Sequence, residues 1–283
     1  MTSATHNLSQ RFPARRAFIT GAASGLGLAC AEILAREGWR LLLSDIDAER
    51  LSVIAHQLAG EGVSVLTAVL DVRDAATLRA AVANCVDVLG GIDLAIHAAG
   101  VALVGPLHEA TTSDWQWIMD INVHGVANSC RAVLPPMLRQ GGGLIINIAS
   151  AAALCTGANM SAYNTAKAAV VALTESMMQE YASAGVQCVA AMPGFFHTRL
   201  FETARGPERI MQGARRLMAD SELDASTVAE QILSRAARGQ TYVVLPGKYL
   251  WLWRLKRLAP QSFQRWYPQM TAKRRRTQQA TVP

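Results

Sequence analysis

Short β-rich apolar runs and longer helical stretches alternate along nearly the whole chain, and few folds accept that order. The runs are 17–20, 40–44, 64–70, 94–97, 144–149, 186–191 and 242–245; helical stretches at 25–37, 47–58, 75–89, 113–140, 162–184 and 226–238 lie between them. A parallel sheet covered by helices on both faces reads this way, because each strand is buried on both sides and each return needs a crossover. Right-handed crossovers then make the sheet doubly wound. The expectation is one α/β domain with seven parallel strands over residues 15–248, an N-terminal extension (1–14) and a C-terminal tail (249–283). Residues 194–224 break the alternation with Gly194, Gly206, Pro207 and Gly213, and are expected to form a lid over the substrate.

Composition excludes several classes. Of 283 residues, 51% are apolar and 17% charged, which rules out a mainly disordered chain. No apolar run approaches the roughly 18–20 residues of a membrane-spanning helix. The first fifteen residues lack the apolar block of a secretion signal, so export is not expected. Five scattered cysteines without a CxxC pair imply free thiols in a reducing compartment, the cytoplasm, and offer no zinc site. The net charge of +6 belongs to the tail: it holds eight basic and no acidic residues, leaving 19 basic against 21 acidic in the remainder. A basic footprint for nucleic acid would spread over the folded body, so no nucleic-acid partner is expected.

The first strand runs into Thr20-Gly21-Ala22-Ala23-Ser24-Gly25-Leu26-Gly27, and a helix follows. Glycines permit a tight turn and let backbone approach a pyrophosphate, and the helix N-terminus presents free N–H groups and a positive dipole end. Asp45 closes the second strand at the distance where a carboxylate meets an adenosine ribose diol, and there it would repel the extra phosphate of NADP. NAD is therefore favoured over NADP. Asp45 could instead cap the following helix, a task Asp47 can also perform.

Tyr163 and Lys167 stand four apart in a helical stretch, on one face. A phenol is too weak an acid to be a base at neutral pH, and a neighbouring ammonium is expected to favour the phenolate. So tuned, Tyr163 could take or give an alcohol proton. Ser150, at the crevice end of the fifth strand, would hydrogen-bond a substrate oxygen as charge develops on it.

These residues, with Asp71-Val72 after the third strand, His97-Ala98-Ala99-Gly100 after the fourth, Asn122 in a long helix, and Pro193-Gly194 with Thr198, occur in the order of a known family. The chain resembles the short-chain dehydrogenases/reductases of the main ~250-residue type over about residues 15–248. The resemblance implies a Rossmann fold, NAD(H) or NADP(H) as cofactor, and hydride transfer between an alcohol and a ketone or aldehyde. It implies that Lys167 also binds the nicotinamide ribose and that Asn122 holds a water linking Lys167 to solvent. Asp71 would hydrogen-bond the adenine, or cap a helix, with Val72 beside the ring. Ala98 and Gly100 would touch the cofactor through backbone, Pro193 and Gly194 would lie over the nicotinamide, and Thr198 would contact its carboxamide. Ser150, Ala152, Leu154, Tyr163 and Phe195 would line the substrate pocket, and relatives form dimers or tetramers. His97 departs from the family's asparagine; it is read as a structural substitution, not a new base.

The residues after Ser150 and Gly194 are nearly all apolar, Arg199 excepted; they either line a pocket for a hydrophobic alcohol or ketone or pack against the lid. The alternatives to an NAD-linked dehydrogenase are an NADP-linked reductase of a lipid-like carbonyl at a membrane surface and a Rossmann module that senses NAD without turnover. His197 lies in the lid, where it is either solvated or in contact with substrate. In the tail, Trp251, Leu252, Leu255 and Leu258 fall on one helical arc with Arg254 and Arg257 to one side. Such a helix either lies on a membrane surface or packs over the lid or a neighbouring subunit. The Lys273–Arg276 run is read as a solvated end.

Overall fold

Successive residues of each strand enter different cores. On β1 (Arg16–Thr20), Ala17 and Ile19 join the core beneath α1 (His6–Arg11), α2 (Gly25–Arg36), α3 (Ala48–Gly60) and α9 (Ala225–Ala237). Phe18 between them joins the opposite core, under α4 (Ala75–Leu89), α6 (Gly125–Arg139) and α7 (Ser161–Tyr181). The same split recurs on β4 (Leu94–His97), with Leu94 and Ile96 on one side and Ala95 on the other. A period of two with both phases apolar fits a sheet buried on both faces. These features come from a computed structural model that describes residues 6–219, 221 and 223–280.

With β2 (Arg40–Asp45), β3 (Val65–Val69), β5 (Gly143–Ile148), β6 (Val186–Pro193) and β7 (Tyr242–Leu245), the described strands form one parallel sheet in the order β3-β2-β1-β4-β5-β6-β7. The order reverses between β1 and β4, and the crevice at their carboxyl ends is where such sheets bind ligands. In register there, Thr20 pairs with Ser44 and His97, and His97 with Asn147. Local chemistry sets the helix starts: Asp47, Asp74 and Asp224 accept from first-turn N–H groups of α3, α4 and α9.

The long helix expected over 113–140 is interrupted. α5 (Thr112–Met119) and α6 are joined by a π-helical turn, Asp120–His124, where Gly125 N–H donates to the Asp120 carbonyl. One extra residue in a turn re-aims the side chains beyond it, and such turns frequently sit at functional sites. Here the turn contains Asn122. The lid is also more regular than expected, since it contains the twelve-residue helix α8 (Glu208–Ala219). Ile210, Met211, Ala214 and Met218 of that helix pack with Trp115 and Trp117 of α5.

The tail forms α10 (Gly247–Leu258) and α11 (Pro260–Ala280). Tyr249, Leu250, Leu252, Trp253 and Tyr267 pack against the α6/α7 core, which buries Phe263. Leu252, expected on one arc with Trp251, Leu255 and Leu258, thus turns inward while those three stay exposed. Lys256 Nζ donates to the Leu154 carbonyl at 2.8 Å. The side chains of Lys273–Arg276 lie outside the described residues. No described helix is long and apolar enough to cross a membrane.

Candidate active site

Gly21 and Gly25 turn the chain after β1 with φ of +69° and +54°. The first needs glycine because a Cβ would come within 2.6 Å of the Ala99 amide nitrogen. At Gly25 a Cβ would stand 2.7 Å from Thr198 Oγ1, so the lid rests directly on the turn. Ser24 is the N-cap of α2, but its hydroxyl makes no cap hydrogen bond. First-turn N–H groups of a helix lack intrahelical partners, and together with the open glycine backbone they make a cradle for an anion.

The two carboxylates have separate surroundings. Asp45 Oδ2 accepts from Ala23 N–H at 2.9 Å and Oδ1 from Asp47 N–H at 3.0 Å. Asp47, not Asp45, caps α3. Asp71 likewise leaves the cap of α4 to Asp74; the Arg73 guanidinium pairs with it and holds its carboxyl below the usual range.

One cleft of about 550 Å3 takes in the glycine turn with Ser24, Leu26 and Gly27, then Asp45, Asp71, Val72, Ala98, Gly100, Ser150, Tyr163, Lys167, Pro193, Gly194 and Thr198. The cradle and the acidic residue beside it fit an extended dinucleotide with its pyrophosphate at α2. Ala152 and Phe195 line the same cleft. Leu154 does not: its side chain is buried in the core by the tail. His197 is exposed away from the cleft, and Arg199 is tied to Glu202 at 2.6 Å.

Further along the cleft, Tyr163 is buried with the Ser150 side chain beside it. Ser150 Oγ accepts from Ala152 N–H at 3.1 Å and donates to the Pro193 carbonyl at 3.4 Å. Lys167 Nζ donates to the Ile148 carbonyl at 2.9 Å and lies 5.8 Å from the centre of the Tyr163 ring. Burial pushes the Tyr163 phenol up to about 12, with the Ser150 hydroxyl pulling the other way, and lowers the Lys167 ammonium to about 8. This corrects the expectation that the ammonium dominates: the apolar walls disfavour both charged forms. Asn122 is locked by its whole amide, Oδ1 accepting from Val101 N–H at 2.8 Å and Nδ2 donating to the Val101 carbonyl at 2.9 Å. It therefore holds the segment after β4, close to Gly100 and Lys167, through the π-helical turn.

His97 takes no part in this cleft. Its Nδ1 is 2.8 Å from Asn147 Oδ1 and 3.4 Å from Cys130 Sγ, while Asn147 Nδ2 donates to Thr174 Oγ1. Asn147 Oδ1 is thus the acceptor and Nδ1 carries the proton. Nε2 is buried with no hydrogen-bond partner among the described residues. Burial lowers the imidazolium to about 4.

Several cleft residues escaped the sequence reading: Arg50, Trp117, Met160, Met218, Tyr249 and Tyr267. Met218 carried a signal, the apolar spacing of α8. Tyr249 and Tyr267 carried none, since their place depends on how the tail folds back. Gly194 makes room for it, because a Cβ there would collide with the Tyr249 ring.

The family model described as short chain dehydrogenase matches residues 15–209. A 2-(R)-hydroxypropyl-CoM dehydrogenase of Xanthobacter autotrophicus is 36% identical over 248 residues, 83% of this chain and 98% of that one. A short-chain dehydrogenase/reductase of Burkholderia phymatum, solved in complex with NAD, superposes with a TM-score of 0.83 at 30% identity, covering 87% of this chain and 94% of that one. LigO from Sphingobium sp. strain SYK-6, solved in its apo form, covers 95% of this chain and 98% of its own at 27% identity and a TM-score of 0.75.

Proposed function

The chain belongs to the short-chain dehydrogenase family, and from that premise we propose that it is an NAD-preferring oxidoreductase of an apolar secondary alcohol or its ketone, with Tyr163 as acid and base. The observation that carries this reading is the convergence of Ser150, Tyr163 and Lys167 in the cleft that also holds the glycine turn and Asp45. When bound, the nicotinamide supplies or accepts the hydride. In reduction the Tyr163 phenol gives its proton to the carbonyl oxygen; in oxidation the Tyr163 phenolate takes the proton of the alcohol. Ser150 Oγ donates to the same oxygen, where negative charge develops. Lys167 holds an ammonium beside the phenol, which limits the cost of a transient phenolate in an apolar site. Asn122 positions the backbone that Lys167 faces.

The substrate end is lined by Ala152, Met160, Phe195, Leu200, Phe201 and Met218, with Tyr249 and Tyr267 from the tail. These walls favour an apolar substrate, and the pairing of Arg199 with Glu202 leaves that guanidinium ill placed to clamp a carboxylate.

One observation favours NADP: Arg50 stands in the cleft near Asp45. Its guanidinium is shared between Asp47 at 3.2 Å and Glu202 at 3.6 Å, and the Asp45 carboxylate still faces an added phosphate. NAD therefore remains the preferred reading. Formation of NADH at 340 nm across secondary alcohols of rising apolar size tests the proposal. Tyr163→Phe should lower turnover by about 10²–10⁴-fold while NAD binding persists. Asp45→Ala should shift the NADP/NAD ratio of kcat/KM toward NADP by about tenfold or more, equivalent to ~1.4 kcal/mol. Turnover unaffected by Tyr163→Phe would remove the mechanism, and an NADP preference in the unmutated chain would remove the cofactor reading.

A further inference from the structure

The tail helices have two working faces, and only one is used by the fold. The inner face of α10 places Tyr249, Leu250 and Trp253 on the domain, and Tyr249 and Tyr267 reach the substrate end of the cleft. On the opposite side, Trp251 is 70% exposed, Leu255 45% and Leu258 85%. Their spacing of four and three residues puts them on a single stripe along the helix. Arg254 flanks the stripe, its guanidinium 5.3 Å from the Trp251 ring centre, whereas Arg257, expected beside it, sits over the ring of Trp253 on the inner side, 5.2 Å from its centre. On α11, Trp266 and Arg265 are exposed as well.

We infer that this outer face of α10 and α11 docks on an anionic phospholipid surface. A soluble chain gains nothing from holding a tryptophan and two leucines in water on one helical stripe, whereas an interfacial helix buries such a stripe among headgroups and acyl chains. The charge selects the occupant. Residues 249–283 contain eight basic and no acidic residues. A second copy meeting this face by two-fold symmetry would bring one basic segment, with Arg254 and Arg265 exposed, against another, with no carboxylate in either to pair them. Lipid phosphates supply the missing charge. The packing of the inner face fixes the helix on the domain, so docking would hold the molecule with its tail-lined cleft near the bilayer. This inference does not depend on the proposed reaction.

Co-sedimentation of the full chain with phosphatidylcholine vesicles, with and without phosphatidylglycerol, tests it. Binding is expected to the anionic vesicles and to be at least tenfold weaker to the neutral ones. Arg254→Gln with Arg265→Gln should weaken anionic-vesicle binding about thirtyfold, the loss of two surface charges. Trp251→Ser with Leu258→Ser should also release the chain, without lowering its melting temperature. Independent of any variant, brominated lipid in the anionic vesicles should quench the tryptophan fluorescence of the unmutated protein. Absence of binding to anionic vesicles, equal binding to both kinds, or absence of quenching would overturn the inference. So would a fall in molecular mass of Trp251→Ser/Leu258→Ser by light scattering, which would mark the stripe as a contact between copies.

Discussion

Replacing His97 by asparagine should flatten the acid sensitivity of this fold. His97 sits at the end of β4 between Asn147 of β5, Cys130 of α6 and the Phe18 ring of β1. As a neutral ring it donates from Nδ1, and its second nitrogen, Nε2, is buried without a partner among the described residues. Protonation would place a new N–H and a charge where nothing accepts them, and burial accordingly lowers its pKa from 6.5 to about 4. In the unfolded chain the imidazole titrates normally, so between these values the unfolded state binds more protons and stability falls with pH. Full stability from this residue is present above the unfolded value and is lost as pH drops toward the folded one. The linkage amounts to about 2 kcal/mol at about pH 5 and approaches ~3 kcal/mol near the folded pKa. Urea denaturation at about pH 7 and about pH 5 measures it. Whatever His97→Asn costs at the higher pH through altered packing, the variant should lose about 2 kcal/mol less than the unmutated protein between the two pH values. Equal losses would refute the argument and mean that the folded chain accommodates an imidazolium at this position.

Alcohol oxidation requires an unprotonated Tyr163, which burial makes scarce, so its kcat/KM should rise with pH from neutrality upward. Ketone reduction requires the phenol and should fall as Lys167 loses its proton, near a pKa of about 8; identical profiles for both directions would contradict the assignment. Gly27→Ala would drive a methyl group into the Gly21 carbonyl, and should cost about 1–3 kcal/mol in chemical denaturation. Tyr249→Ala should raise KM for a large apolar alcohol roughly tenfold, the equivalent of ~1.4 kcal/mol, with KM for NAD unchanged. An unchanged alcohol KM would show that the tail does not form the pocket wall in solution.

Much of the site was legible because its residues report short-range constraints. The glycine turn announces its own backbone: Gly21 needs positive φ, and a single spacing places Gly27 against it. Tyr163 and Lys167 share a helix face by their separation alone, and Ser150 follows a strand whose apolar run is plain. The alternation of runs likewise reveals a parallel sheet, since both phases of each strand must be buried. Other features depend on residues distant in sequence. Asp45 and Asp47 were interchangeable as caps until the folded turn brought Ala23 N–H to the Asp45 carboxylate. The π-helical turn that aims Asn122 at Val101 has no distinct periodicity in a helix that otherwise reads as continuous.

What the sequence alone determined is the sheet, the glycine turn and the placing of Tyr163 and Lys167 on one helix face, because hydrophobic period and helical spacing act over a few residues. Tertiary structure decided the protonation balance and the boundary of the pocket. Burial, not the neighbouring ammonium, sets the Tyr163 pKa, and burial is a property of walls assembled from many elements. Leu154 left the cleft and Tyr249 and Tyr267 entered it because α10 and α11 fold back over the loop after Ser150, with Lys256 on the Leu154 carbonyl. The same fold-back turned Leu252 inward and left Trp251, Leu255 and Leu258 outside, a division that helical spacing permits but only packing against the domain selects.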